Sequence, residues 1–267
     1  VVLDEEDGKR VLQQSLADGK LYRWLCSGSR QSMLVESVVQ CIPREHPRTR
    51  HGGRVRFDRT DIMPKYHQAI VAALSLISRR PQRFLFLGVG AGTLPLFLLQ
   101  HYPRTSMTGV DCSSGVLSLA RRYFGLHSGP RLRLHVRTAW DFLKNQRNAR
   151  TWCAVVVDAC DCGPCGAVHA PPESLCTADA LNMLYRLVAK GGVLILNCLM
   201  AASHFHLPRL RANFRKTFKH GSSHVILTKE GNIVLVGCVT AESSSQILRQ
   251  CAWHAALEAL DLQIAFA

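Results

Sequence analysis

Three glycines at alternate positions, Gly88, Gly90 and Gly92, close the apolar run Phe84-Leu85-Phe86-Leu87, and an apolar-periodic stretch, Leu94 to Leu99, follows them. This spacing reads as buried strand, tight turn and helix. Glycine is wanted where the backbone must turn sharply and lie against a ligand with no Cβ in the way. The helix start behind the turn is expected to offer free N–H groups and the positive end of a dipole. A turn packed tightly against its own protein would show the same spacing. A second apolar strand, Ser106 to Val110, ends in Asp111. A carboxylate there can accept both hydroxyl hydrogens of a ribose, or cap the helical run Ser114 to Phe124. Together the two features imply a nucleoside-type cofactor. Two further loops carry polar groups, Thr138-Ala139 after a third strand and Asp158-Ala159-Cys160-Asp161 after a fourth.

The elements that must position these residues alternate along the chain. Leu132 to Val136, Ala154 to Val157 and Val193 to Leu199 read as strands, and Tyr66 to Ile77, Ala178 to Ala189, Leu207 to Phe218 and Ser245 to Leu260 as helices. Gly191-Gly192 is expected to break the second of these helices, Ala178 to Ala189. Alternating strands and helices imply a parallel sheet with right-handed crossovers. In such a sheet ligands lie beyond the carboxyl ends of the strands, where all four loops meet. His224 to Thr228 and Ile233 to Val239 form a hairpin around Glu230-Gly231, an antiparallel addition at one edge. The fold class is therefore α/β, a mostly parallel seven-stranded sheet with an antiparallel C-terminal hairpin. Before it, Leu21 to Cys26 and Met33 to Cys41 read as a small antiparallel β element, with a turn at Glu36-Ser37 conceivable inside the second run. Residues 1–19 read as charged and irregular, and 43–60 as a basic exposed loop. We divide the chain into 1–64, the β-hairpin region and basic loop, and 65–267, the Rossmann-like domain.

The chain has 267 residues, 47% of them hydrophobic, enough for one large α/β domain. No apolar run approaches the ~20 residues needed to span a bilayer, so no membrane partner is expected. The formal net charge of +14 points to an acidic partner. RNA or a ribonucleoprotein stays open, although aromatics are only 7% and do not interleave with the basic runs as a stacking platform requires. Eleven cysteines, several in apolar strands, imply free thiols and a reducing, intracellular compartment, the cytoplasm or the mitochondrion. Cys160, Cys162, Cys165 and Cys176 lie close together with His169 nearby, but they lack the paired knuckles of a structural zinc site, and no metal is expected. The chain begins at Val1, which leaves targeting unread.

These residues resemble the spermidine-synthase-like branch of the class I methyltransferases over roughly positions 20–240. Met33-Leu34-Val35-Glu36-Ser37-Val38-Val39-Gln40 is similar to the hairpin that precedes the core in spermidine synthases. Tyr66-His67-Gln68 resembles their Tyr-[His/Gln]-Glu motif, and Asp158-Ala159-Cys160-Asp161 their Asp-Ser-Ser-Asp. Their glycine loop, however, carries an aspartate that meets the aminopropyl amine, and that slot here is Ala91. Thr93-Leu94-Pro95-Leu96-Phe97, Arg122-Tyr123-Phe124-Gly125 and Ala170-Pro171-Pro172 look instead like the methyltransferases of elongation factor 1-alpha (the methyltransferase-like protein 13 group). After the third strand both groups usually carry an aspartate for the adenine amino group, and here Thr138 can accept only as a neutral hydroxyl.

The resemblance implies an S-adenosylmethionine-dependent N-methyltransferase acting on a protein amine, a lysine or an N-terminus. Gly88, Gly90, Gly92, Asp111, Thr138, Ala139 and His67 would bind S-adenosylmethionine, and Tyr66 and Gln68 would line the substrate mouth. Asp158 would orient the amine, with Asp161 as second acceptor or base. The basic loop 43–60 could dock a protein substrate with an acidic face, and family habit makes a homodimer an expectation. Two alternatives stay open: a weakly active or inactive methyltransferase-fold subunit of a ribonucleoprotein assembly, and an aminopropyltransferase.

Overall fold

A computed structural model of the chain describes residues 1–28, 33–42, 55–78, 80–146, 149–162, 168–199, 207–218, 223–239 and 253–265. Five strands form an antiparallel sheet in sequence order: β1 (Val2–Glu6), β2 (Lys9–Ser15), β3 (Leu21–Gly28), β4 (Met33–Ile42) and β5 (Arg56–Phe57). The first two correct the irregular reading of residues 1–19. Glu6 pairs with Lys9 across the two-residue turn Asp7-Gly8, where φ is 52° and 70°. Two consecutive left-handed residues match the twist of a hairpin, and Asp-Gly is a favoured pair for it. The turn expected at Glu36-Ser37 is also corrected. β4 runs straight through, and its pairing with β3 slips by one residue, Leu25 with Ser37 and then Cys26 with Val35. Glu36 is thus the extra residue of a bulge, which re-aims its neighbours instead of reversing the chain.

The remainder alternates helix and strand: α1 (Lys65–Ala73, continued by a 3₁₀ turn at Leu74–Leu76), β6 (Arg83–Leu87), α2 (Thr93–His101), β7 (Ser106–Asp111), α3 (Ser114–Phe124), β8 (Leu132–Val136), α4 (Ala139–Lys144) and β9 (Trp152–Val157). A two-stranded ribbon, β10 (Asp161–Cys162) with β11 (Val168–His169), leads to α5 (Ala178–Leu187) and β12 (Val188–Leu199). Then come α6 (Leu207–Thr217), β13 (Ser223–Leu227), β14 (Asn232–Cys238), α7 (253–259) and β15 (Gln263–Ala265). The main sheet has the order β15-β13-β14-β12-β9-β6-β7-β8. β12, β9, β6, β7 and β8 are parallel, and the hairpin β13–β14 adds the antiparallel edge, as expected. β15 is an eighth strand beyond the seven expected, antiparallel to β13. The helix expected over Ser245 to Leu260 falls partly outside the described residues. No described helix is long and apolar enough to cross a membrane.

The parallel strands are apolar on both faces because each face is covered. Phe84, Phe86, Ala154, Val156, Val193 and Ile195 pack in one buried cluster with Ala69, Ile70 and Ala73 of α1. Leu85, Leu87, Val155, Val157, Leu194 and Leu196 pack in a second, with Leu181 and Leu184 of α5 and Leu210 and Phe214 of α6. The strand period of two therefore decides which layer each residue enters. α5 ends at Leu187, two residues earlier than expected, because Val188 is already extended and pairs with Trp152. Gly191-Gly192 lies inside the strand, where a Cβ on Gly192 would come within 2.6 Å of the Cys153 carbonyl oxygen.

The small sheet is fastened to α3. Asp7 Oδ2 accepts from Ser113 Oγ at 3.1 Å and from Gly115 N at 3.2 Å, so the hairpin turn adds a second cap to that helix start. Arg122 bonds Asp4 at 2.7 Å and also Glu6, while Arg23 donates to the Tyr123 carbonyl. Val11, Leu25, Val116, Leu119, Phe124 and Ala91 close a third apolar cluster between the two sheets. Gly8→Ala should lower stability by about 1–2 kcal/mol, from the left-handed backbone alone, since no atom lies within 4 Å of the new Cβ. Thermal unfolding of the variant checks the figure.

Candidate active site

The glycine bend packs against three parts of the protein. Gly88, at φ 92°, lies so close to the tip of β9 that a Cβ would fall 2.0 Å from the Asp158 carbonyl oxygen. Gly92, at φ 76°, is the N-cap of α2, and a Cβ there would meet Leu126 at 2.5 Å. Gly90 faces Ser37 of the small sheet, whose Oγ would lie 3.2 Å from a Cβ. The spacing thus follows from protein–protein contacts at all three positions.

The amides of the bend itself are taken up within the protein. Gly88 N donates to the Val110 carbonyl at 2.8 Å and Gly92 N to the Val89 carbonyl at 2.9 Å. Val89 N and Gly90 N donate to Asp111 Oδ2 at 3.0 and 3.1 Å, and Ala91 N donates to Ser37 Oγ at 3.4 Å. Asp111 Oδ1 accepts from Ser113 N at 3.1 Å. Ser113, not Asp111, caps α3, accepting from Val116 N at 2.9 Å. Asp111 therefore clamps the bend to the tip of β7. A carboxylate offers about four lone-pair sites, and the bonds named here leave Oδ1 with acceptor capacity toward the open rim. Beyond it Cys112 is exposed and Val136, at the tip of β8, is 50% exposed.

Thr138 N-caps α4: its hydroxyl accepts from Asp141 N at 3.0 Å and donates to Asp141 Oδ2 at 2.7 Å. Its single proton is spent on that carboxylate. Bonds from Lys144 and then Thr138 hold the Asp141 carboxyl below the usual range. Ala139 packs on the second core cluster. Both follow β8 at the same edge, since Arg137 N bonds the Asp111 carbonyl at 2.9 Å.

At the tip of β9 the period of two puts Asp158 on the face of Ala154 and Val156, toward α1. His67 is 3% exposed there, with Nε2 3.5 Å from Asp158 Oδ2 and a buried Nδ1 that has no hydrogen-bond partner. Asp158 Oδ1 accepts from Asn197 Nδ2 at 2.8 Å, and Asn197 Oδ1 accepts from Asn232 Nδ2 at 3.0 Å. Tyr66 packs against His67, the ring centroids 4.2 Å apart and the planes inclined at 51°, and donates to the Glu36 carbonyl at 3.2 Å. Burial, and then the Asp158 carboxylate, push its phenol well above the ordinary tyrosine range, so it stays a neutral donor. Gln68 is turned to the backbone before α1, donating to the Ile62 carbonyl at 2.8 Å. Asp161 stands half-exposed on β10, 3.7 Å from His169 Nδ1 across the ribbon. The structure therefore gathers the glycine bend, Asp111, Asp158, Tyr66 and His67. Gln68 serves the approach to α1, and Asp161 meets His169.

No family model matches the chain. In sequence it is similar to the eEF1A lysine and N-terminal methyltransferase of Bos taurus, 27% identical over 151 residues, 52% of this chain and 21% of the relative. The chain spans 21–22% of the length of the first such relatives it matches. In structure it superposes on human methyltransferase-like protein 13 in complex with SAH, with TM-score 0.61, 20% identity, and 76% of this chain and 96% of that one covered. A probable spermidine synthase from Corynebacterium glutamicum gives TM-score 0.72 at 19% identity, covering 98% and 88%. The chain has the spermidine-synthase-like class I methyltransferase fold.

Within this methyltransferase fold, sequence reasoning missed Ser37, Asn197 and Asn232. Asn197 had a visible signal, a lone amide inside Val193-Leu194-Ile195-Leu196-Asn197-Cys198-Leu199. Ser37 had none, because the bulge that aims it depends on strand register. Among the described residues no group of side chains could hold a metal ion; Cys165 and the side chain of Cys162 lie outside them. Burial pushes Cys26 and Cys176 up to about 11, and burial and then Asp111 raise Cys112 at the rim.

Two substitutions test the clamp. Gly88→Ala should cost about 3 kcal/mol or more, because left-handed strain adds to a clash with immovable backbone. Asp111→Asn should cost about 1–2 kcal/mol, since its amide nitrogen cannot accept from a backbone N–H. Urea unfolding of each variant measures both losses.

Proposed function

We propose that the chain is an S-adenosylmethionine-dependent N-methyltransferase acting on a protein amine. The observation that carries the reading is Asp158, a carboxylate 24% exposed at the rim and held by an uncharged amide. Support comes from sequence relatives named as lysine and N-terminal methyltransferases and from a structural neighbour determined with SAH. The excess of basic residues, +14 overall, suits a substrate with an acidic face.

The rim residues fit the cofactor. Asp111 has acceptor capacity left for a ribose hydroxyl, and Val136 offers apolar surface beside Thr138 and Ala139. S-adenosylmethionine supplies an electrophilic methyl group on a sulfonium. The chain's own residues hold and orient the amine. Asp158 accepts one N–H of the neutral amine, which turns the nitrogen lone pair toward the methyl carbon. The amine held by Asp158 would take the methyl group, the electron pair of the broken C–S bond being left on sulfur. The ammonium product then releases a proton to Asp158 or to water. Tyr66 and His67 wall the amine side, and the half-exposed Asp161 is a secondary acceptor at the mouth.

An aminopropyl transfer is disfavoured by Ala91. Its side chain is fully buried among Val11, Leu25 and Val116, so the slot that carries an aspartate in spermidine synthases supplies no carboxylate here. Calorimetry with S-adenosylmethionine and its decarboxylated analogue separates the readings. Binding of the first supports methyl transfer, of the second alone polyamine synthesis, and of neither a scaffold. Labelled S-adenosylmethionine added with the protein to cell extract should mark a protein band. Asp158→Asn should lower kcat about 10²- to 10³-fold with cofactor affinity nearly unchanged; unaltered turnover would remove Asp158 from the mechanism.

A further inference from the structure

We propose that Asn197, itself held by Asn232, is the positioning residue that fixes Asp158 for reaction and leaves its negative charge unneutralised. The inference rests on the methyl-transfer reading and deepens it.

The geometry allows one orientation of the amides. Asn197 is 7% exposed and Asn232 8% exposed, so both need their partners inside the protein. Asn232 is anchored in the β13–β14 turn, its backbone N donating to Thr228 Oγ1 at 3.1 Å and its carbonyl accepting from Thr228 N at 3.0 Å. Its side-chain NH₂ meets the Asn197 oxygen at 3.0 Å, which turns the Asn197 NH₂ onto Asp158 Oδ1 at 2.8 Å. Reversing Asn197 would set an amide oxygen against a carboxylate oxygen, so an ionised Asp158 selects the observed arrangement. One carboxylate oxygen is thereby tied down, and Oδ2 stays on the side of His67.

The chemistry explains why the partner is an amide. An arginine or lysine at position 197 would hold Asp158 equally well, but it would cancel the charge and repel a sulfonium or ammonium. A neutral donor fixes direction and leaves the charge available to a cationic transition state. Near Asp158 stand the His67 imidazole, with Nε2 3.5 Å from Oδ2, and the Tyr66 phenol, a neutral donor bonded to the Glu36 carbonyl. No lysine or arginine is paired with Asp158 among the described residues.

Asn197→Asp is the sharp variant. It keeps the shape and an oxygen for Asn232 but replaces the donor to Asp158 with an acceptor. Positioning predicts a kcat about 10- to 100-fold lower for Asn197→Asp and Asn197→Ala, with KM for S-adenosylmethionine and Kd for S-adenosylhomocysteine changed less than threefold. Wild-type kcat in both variants would overturn the proposal while leaving methyl transfer intact. Equal losses in kcat and cofactor affinity would mark a merely structural role and also overturn it. A readout independent of turnover is the Asn197 side-chain amide proton in NMR spectra of the apo protein. It should lie downfield and move upfield in Asp158→Ala; an unmoved resonance refutes the contact even if the other variants fail to fold. A wild-type chain that neither binds S-adenosylmethionine nor transfers methyl defeats the functional reading and this role for Asn197 together, whatever the NMR result.

Discussion

The contact on which the site depends is between two stretches of backbone, the glycine bend after β6 and the tip of β9. Gly88 lies against the Asp158 carbonyl with no room for even a methyl group. Asp158 N bonds the Leu87 carbonyl at 2.8 Å and Gly88 N the Val110 carbonyl at 2.8 Å, so three neighbouring strand tips are locked in one register. Only a residue without a Cβ permits this approach. Because the tips are fixed, Asp111 and Asp158 stand at set positions along one edge, and a ligand there would meet preorganised groups.

The second constraint is electrostatic. The chain is strongly basic overall, yet the hydrogen bonds that hold the two strand-tip acids, Asp111 and Asp158, come from uncharged amides. Backbone amides hold Asp111, and the Asn197 side-chain amide holds Asp158. Hydrogen bonds of this kind fix a carboxylate without removing its charge. Arginines serve the joint between the sheets instead, where Arg122 pairs with Asp4 and Glu6 and Arg23 reaches the Tyr123 carbonyl. The acids Asp4 and Glu6, which most resemble a surface patch, are thus structural.

The small sheet also belongs to the site. Ser37 Oγ takes the Ala91 amide, the Glu36 carbonyl takes the Tyr66 hydroxyl, and Asp7 caps α3 two residues after Cys112. One bulge in β4 supplies the first two contacts, since an extra residue lets Glu36 and Ser37 address α1 and the glycine bend at once.

Periodicity along the chain determined the parallel core, because continuous apolar runs have no stable place except between two covering layers. α3 and β8 begin and end where the pattern changes, and Gly88, Asp111 and Asp158 were visible as polar or glycine interruptions at strand ends. Asp7-Gly8 was legible too, but the charged residues around it masked the hairpin signal. What the tertiary structure alone decided is where each polar group finds its partner. That Asp111 turns onto Val89 and Gly90, and that Asn232 aims Asn197 at Asp158, depend on pairings across 21 to 39 positions of chain. Local pattern reports whether a residue is buried; hydrogen-bond direction is set only when register and twist bring two distant segments within 3 Å.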